Sequence, residues 1–300
     1  MRFDGGCAAV SSSARKRDRL TPMTSSPPPP DDTPREPLAY HDPRFVDSDE
    51  ARPLRILSEY LRPLGVFRRR HIHDTIVFFG SARITQDGPF GAYYEAAREL
   101  SRLVTEWSAA LPNPAHRCLV CTGGGPGIME AANRGASEAG GRTIGLNIGL
   151  PHEQRPNPYI TKGLSFEFRY FFMRKLWFAY MARAIVAFPG GFGTLDEVFE
   201  VLTLSQTGKL ERTIPIILFG SDYWREIIDF DALVSHGMIA PHDVGLVHLV
   251  DQPAEAFELV RATLRPRDEE APTPDLARSV TPEDPQAGPK PTDPPEEHGA

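Results

Sequence analysis

Ala184-Ile185-Val186-Ala187-Phe188-Pro189-Gly190-Gly191-Phe192-Gly193-Thr194-Leu195-Asp196-Glu197 is the stretch whose reading decides the fold. Its β-branched and aromatic opening reads as a buried strand. The run breaks at Pro189 and three glycines, then resumes with helical spacing at Leu195, Val198 and Leu202. Glycines let a backbone approach a ligand closely. The amides that open the following helix point outward with the positive end of its dipole, a cradle suited to phosphate. Glu197 falls in the first turn, beside that cradle. The same four residues, Thr194 to Glu197, also read as a capping box in which Glu197 only ties down the Thr194 amide.

Outward from this stretch, the 300 residues divide by composition. Proline is dense from Pro22 to Pro63 and from Pro266 to Pro295, leaving between them enough chain for one α/β domain. Residues 1–50 read as a disordered tail, 51–71 as a helical lead-in, 72–265 as the folded domain and 266–300 as a disordered acidic, Pro-rich tail. Met23 is an alternative start, since residues 1–22 show no structural pattern. Most of the net charge of −7 lies in residues 267–300, which hold nine acids against three bases. The folded part is thus close to neutral, which argues against a nucleic-acid partner. No apolar stretch is long enough for a membrane span. Cys118 and Cys121 have CxxC spacing, but on a strand they point to opposite faces, as two reduced, buried thiols of a cytoplasmic protein.

Strands are expected at 75–79, 117–121, 143–148, 164–168, 184–188, 214–219 and 247–250. Helices are expected at 54–61, 90–109, 128–139, 171–181, 195–207, 223–235 and 254–264, the first with Leu54, Leu57 and Leu61 on its apolar face and Pro126 opening the third. Such alternation predicts one open parallel sheet with helices on both faces. Residues 149–163 form a Pro- and Asn-rich loop long enough to suggest function. Three turns, Gly80-Ser81, Gly123 to Gly127 and Pro189 to Thr194, follow strands directly and share the sheet edge where ligands bind. Together they suggest a ligand with a phosphate and a sugar. Arg174, early in a helix antiparallel to the organising strand, reaches the same edge; Arg169 and Lys175 are rivals, and Lys175 reads better as a surface charge. The dinucleotide fingerprint is poorly matched, and neither GxxxxGK[ST] nor GxSxG occurs.

Pro189 to Glu197 resembles the PGGxGTxxE signature of the LOG (Lonely Guy) family, Met173-Arg174-Lys175 stands where that family carries its Arg-Lys pair, and Gly123-Gly124-Gly125-Pro126-Gly127-Ile128-Met129-Glu130 resembles its other glycine motif. Glu130, in place of a final glycine, and the long flanks look more like the extended bacterial branch and a broader nucleotide role. The resemblance implies a Rossmann-like, homodimeric hydrolase that cleaves a nucleoside 5′-monophosphate, AMP or a cytokinin riboside 5′-monophosphate, to free base and ribose 5-phosphate. On that basis Glu197 and Arg174 are the catalytic residues. Gly190, Gly191, Gly193 and Thr194 hold the phosphate, while Ser81, Gly124, Gly125, Met129 and Lys175 lie on the sugar and base side. The chemistry requires no metal and no redox cofactor. Members have often been labelled lysine decarboxylases, for which nothing here identifies a pyridoxal-phosphate lysine. A non-catalytic nucleotide or cofactor carrier of the same fold is the alternative.

Overall fold

A computed structural model describes residues 36–149, 155–210 and 214–264. Most of the two expected tails, and residues 150–154 of the 149–163 loop, lie outside them. The described strands are β1 (Asp74–Phe79), β2 (Cys118–Thr122), β3 (Thr143–Ile148), β4 (Ser165–Phe168), β5 (Ala182–Ala187), β6 (Ile216–Phe219) and β7 (Val247–Val250). They form one sheet in the order β4-β3-β2-β1-β5-β6-β7, and every adjacent pair is parallel. The chain runs outward from β1 in one direction as far as β4, then returns to the other side of β1 with β5. The order therefore reverses between β1 and β5. A crevice opens beyond the carboxyl ends of strands at such a point.

The central strands β1, β2, β5 and β6 are buried along their whole length because both faces are covered, whereas β4 alternates buried and exposed residues and β7 is only partly buried. Alternate residues feed two cores. Val77, Phe79, Cys121, Ile185 and Leu218 pack with the helices α2 (Arg52–Arg69), α5 (Phe171–Met181) and α6 (Phe192–Gln206). Ile76, Phe78, Cys118, Val186 and Phe219 pack on the other face with α3 (Gly91–Ala110), α4 (Ile128–Glu138) and α9 (Pro253–Leu264). Cys118 and Cys121 thus sit on opposite faces, both buried, and burial pushes the Cys121 thiol pKa far up.

Several elements depart from the pattern-based expectation. Residues 36–50, expected in a disordered tail, include a 3-10 turn (Ala39–His41) and a short helix, α1 (Pro43–Val46). Arg55 holds this segment by donating to the carbonyls of Val46 and Ser48, each at 2.6 Å. The first long helix does not stop before Pro63. A proline in a helix strands the carbonyl four residues back, here Glu59, and the Trp177 indole N–H donates to that carbonyl at 3.2 Å. The helix buries Leu64 and Phe67, and the expected face of Leu54, Leu57 and Leu61 is half exposed instead. Helix α4 starts at Ile128 with Gly127 (φ 71°) as its N-cap, so Pro126 stands outside the helix rather than at its first position. The helix expected over 223–235 is two, α7 (Ser221–Ile227) and α8 (Phe230–Ser235), because the Asp229 carboxylate accepts from the Ala232 amide at 2.8 Å and starts a new helix.

Candidate active site

The crevice between β1 and β5 is a cavity of about 1050 Å³. Its floor is made of turns that touch one another. The Phe188 amide donates to Phe79 C=O at 2.9 Å, the Ser81 amide to Pro189 C=O at 3.0 Å, and the Ile128 amide to Ser81 C=O at 3.1 Å. The β1, β2 and β5 turns are therefore one hydrogen-bonded unit. Glycines in these turns are required by contact. A β-carbon on Gly190 would lie 2.1 Å from Thr194 Oγ1, and one on Gly127 would lie 2.3 Å from Ser81 O.

Helix α6 begins three residues earlier than the pattern suggested, at Phe192, with Gly191 as its N-cap. This shift decides between the two readings of Glu197. Thr194 is the third helical residue, not the cap, so no capping box forms. The first intrahelical bond runs from the Leu195 amide to Gly191 C=O at 3.0 Å. The amides of Phe192, Gly193 and Thr194 have no carbonyl within the helix to donate to, and all three residues line the cavity. Glu197 then lies one turn further in, with its carboxylate buried.

There it meets Arg174. Nη2 of Arg174 donates to Glu197 Oε1 at 2.6 Å, with both side chains about nine-tenths buried. The rings of Phe171 and Phe178 flank the guanidinium at 5.3 and 5.7 Å. Nε of Arg174 is buried without a hydrogen-bond partner, so part of its donor fork is unused. Burial pushes the Glu197 pKa up and Arg174 opposes it, but burial dominates and the carboxyl ends above its usual range. A ligand anion at the α6 amides would share both the amide field and the guanidinium.

With this geometry in place, known proteins supply the context. The family model described as "Possible lysine decarboxylase" matches residues 129–260. The cytokinin riboside 5′-monophosphate phosphoribohydrolase LOG7 of Arabidopsis thaliana is 31% identical over 189 residues, covering 62% of this chain and 78% of that protein. The chain belongs to the LOG family. The rice (Oryza sativa subsp. japonica) phosphoribohydrolase LOG is 29% identical over 179 residues, and the match spans 58% of this chain and 66% of the rice protein. Among solved structures, the molybdenum cofactor carrier protein of Chlamydomonas reinhardtii aligns with TM-score 0.43 at 24% identity, covering 64% of this chain and 99% of that one.

Against the LOG-family pattern, Arg174, Glu197, Gly190, Gly191, Gly193, Thr194, Ser81, Gly125 and Met129 all line the one cavity. Lys175 does not. It turns to the other side of α6 and bridges Asp196 at 2.7 Å and Glu200 at 3.0 Å. Gly124 is also outside the lining: its amide donates to Thr122 Oγ1 and its carbonyl accepts from the Asn157 amide, so it shapes the turn from behind while Gly123 takes the wall. Glu130, the departure from the short LOG motif, accepts from the Tyr94 hydroxyl at 3.3 Å and does not line the cavity. Tyr223, which donates to Gly190 C=O at 2.6 Å, and Asn147 were missed. Asn147 had a signal, as a polar residue near the end of an apolar strand; Tyr223 had none.

Proposed function

We propose that this LOG-family chain hydrolyses the N-glycosidic bond of a nucleoside 5′-monophosphate, giving free base and ribose 5-phosphate. The observation that carries this reading is the buried Arg174–Glu197 pair at 2.6 Å, set one turn inside an open helix N-terminus in the same cavity. The 5′-phosphate docks on the Phe192 to Thr194 amides with the Thr194 hydroxyl assisting. The ribose then lies toward Glu197. As the C1′–N bond lengthens, positive charge grows on the ribose ring, and an ionised carboxylate beside it stabilises that state. Glu197 also orients the water whose oxygen bonds to C1′, while the base departs with the electron pair and takes up a proton. Arg174 holds Glu197 in place and offers its unused N–H groups to phosphate or ribose oxygens.

The names of the relatives support a cytokinin riboside 5′-monophosphate as substrate. AMP is the simplest member of the same class, and the proposal includes it. Chromatographic detection of base released from a panel of nucleoside monophosphates tests the reading: Glu197→Gln and Arg174→Ala should each lose at least about a hundredfold in turnover, and turnover near that of the unsubstituted protein would end it.

We also propose that the protein acts as a homodimer in the cytoplasm. Helices α2 and α5 pack side by side, with Tyr60 stacked on Trp177 at 5.5 Å, and leave Leu54, Leu57, Leu61, Phe172 and Leu176 exposed. That much apolar surface suits a partner. The buried thiols suit a reducing compartment, and no helix among the described residues is long and apolar enough to cross a membrane.

A further inference from the structure

Asn147 sits next to the last residue of β3, in the run Thr-Ile-Gly-Leu-Asn-Ile, and is 6% exposed. Its side chain lines the cavity. The amide is held one way round: Nδ2 donates to Ser165 Oγ at 3.0 Å, to Phe166 C=O at 3.1 Å and to Gly145 C=O at 3.4 Å. Two of these partners are carbonyls that cannot donate, so turning the amide over would set oxygen against oxygen. Oδ1 consequently faces away from them. It lies over the α-carbon of Gly124, so closely that a β-carbon there would be 2.1 Å away. Among the described residues no donor reaches Oδ1. Asn147 lines the cavity, so a ligand that displaces water from Oδ1 must supply a donor in its place.

Strand register says which part of a ligand comes there. Phe78 is paired with both Thr122 and Val186, and Thr122 with Gly145. Two residues further along, Gly80, Gly124, Asn147 and Phe188 stand abreast at the carboxyl edge. From β5 to β3 is three strand steps, or ~14 Å. A nucleotide whose phosphate rests on the α6 amides keeps its ribose near Glu197, on the same helix. Only the far end of the molecule, the outer edge of the base, extends to β3.

We propose that Asn147 Oδ1 accepts an N–H from an exocyclic amine on the base, which makes Asn147 a specificity-determining residue that selects amino-bearing bases over oxo or unsubstituted ones. This rests on the nucleotide reading above. A secondary amine still carries one N–H and satisfies the same acceptor.

The test compares AMP with purine riboside 5′-monophosphate, which lacks only the amine, by calorimetric binding to the full chain and by base release. The unsubstituted protein should bind AMP about tenfold more tightly, the effect of one buried acceptor left unmatched. Asn147→Ala should erase most of that ratio. Ser165→Ala removes one of the groups that hold Nδ2 but leaves Oδ1 in place, and should preserve it. Equal affinity for the two nucleotides in the unsubstituted protein overturns the assignment, as does an Asn147→Ala protein that weakens both nucleotides and keeps the ratio. If Asn147→Ala does not fold, the unsubstituted and Ser165→Ala ratios still decide. The expected ratio without any base release would end the hydrolase reading alone; base release with a flat ratio would end this assignment alone.

Discussion

Glu197 and Arg174 depend on each other in a way that pH exposes. Burial raises the carboxyl pKa and Arg174 opposes that rise, so the group that the proposed reaction needs ionised takes up a proton at a higher pH than an ordinary carboxylate. The acid limb of kcat should therefore lie above the usual carboxylate range and move further up in Arg174→Ala, as a pH–rate profile on residual activity would read. Stability follows the same sign. Without Arg174 the buried carboxylate loses its hydrogen-bonded counter-charge and keeps only the field of Lys175, and removing one partner of such a pair costs about 3–5 kcal/mol. Urea unfolding should show that loss at neutral pH and a smaller one in mild acid, where Glu197 is protonated and needs no counter-charge. A loss independent of pH would mean that packing of Arg174 between Phe171 and Phe178, rather than its charge, is what the helix pair requires.

At the level of elements, the glycine turn after β5 contains positions of unequal demand. Gly190 is pressed against Thr194, whereas nothing lies within 4 Å of a β-carbon on Gly191 or Gly193. Gly190→Ala should push Thr194 off the cradle, cost about 1–3 kcal/mol by overpacking and weaken phosphate binding. Gly193→Ala should fold as before, and thermal melting with calorimetric titration of AMP separates the two. The motif therefore reads as one unit in sequence but not in space. Its strand, its helix and its acid were legible because apolar periodicity and glycine spacing are local signals. The true start of α6 was not, and with it went the choice between capping box and buried ion pair, since Arg174 approaches from another helix. Lys175 illustrates the same limit. One residue along from Arg174, it faces α6 from the opposite side, and only helix rotation distinguishes the two.

For the whole molecule, the parallel sheet and its two covered faces were readable from strand–helix alternation, while the exposed apolar ridge on α2 and α5 was not. The periodicity of Leu54, Leu57 and Leu61 is that of a buried face, and the isolated chain leaves it bare. If that ridge joins two copies, Leu57→Glu with Leu61→Glu should convert the assembly to monomers in analytical ultracentrifugation without altering the circular dichroism spectrum; an unchanged sedimentation coefficient would remove the ridge from the interface. The central pairing of β1 with β5 carries a different consequence. Phe79 lies beside Ala187, so the contact that closes the crevice joins segments more than a hundred residues apart, and loop closure over such a distance is slow. During synthesis β1 emerges long before its neighbour. Until β5 arrives, one flank of β1 is an open apolar edge, the kind of surface on which chains stick to one another. The completed crevice and protection from aggregation are thus acquired in the same late folding event.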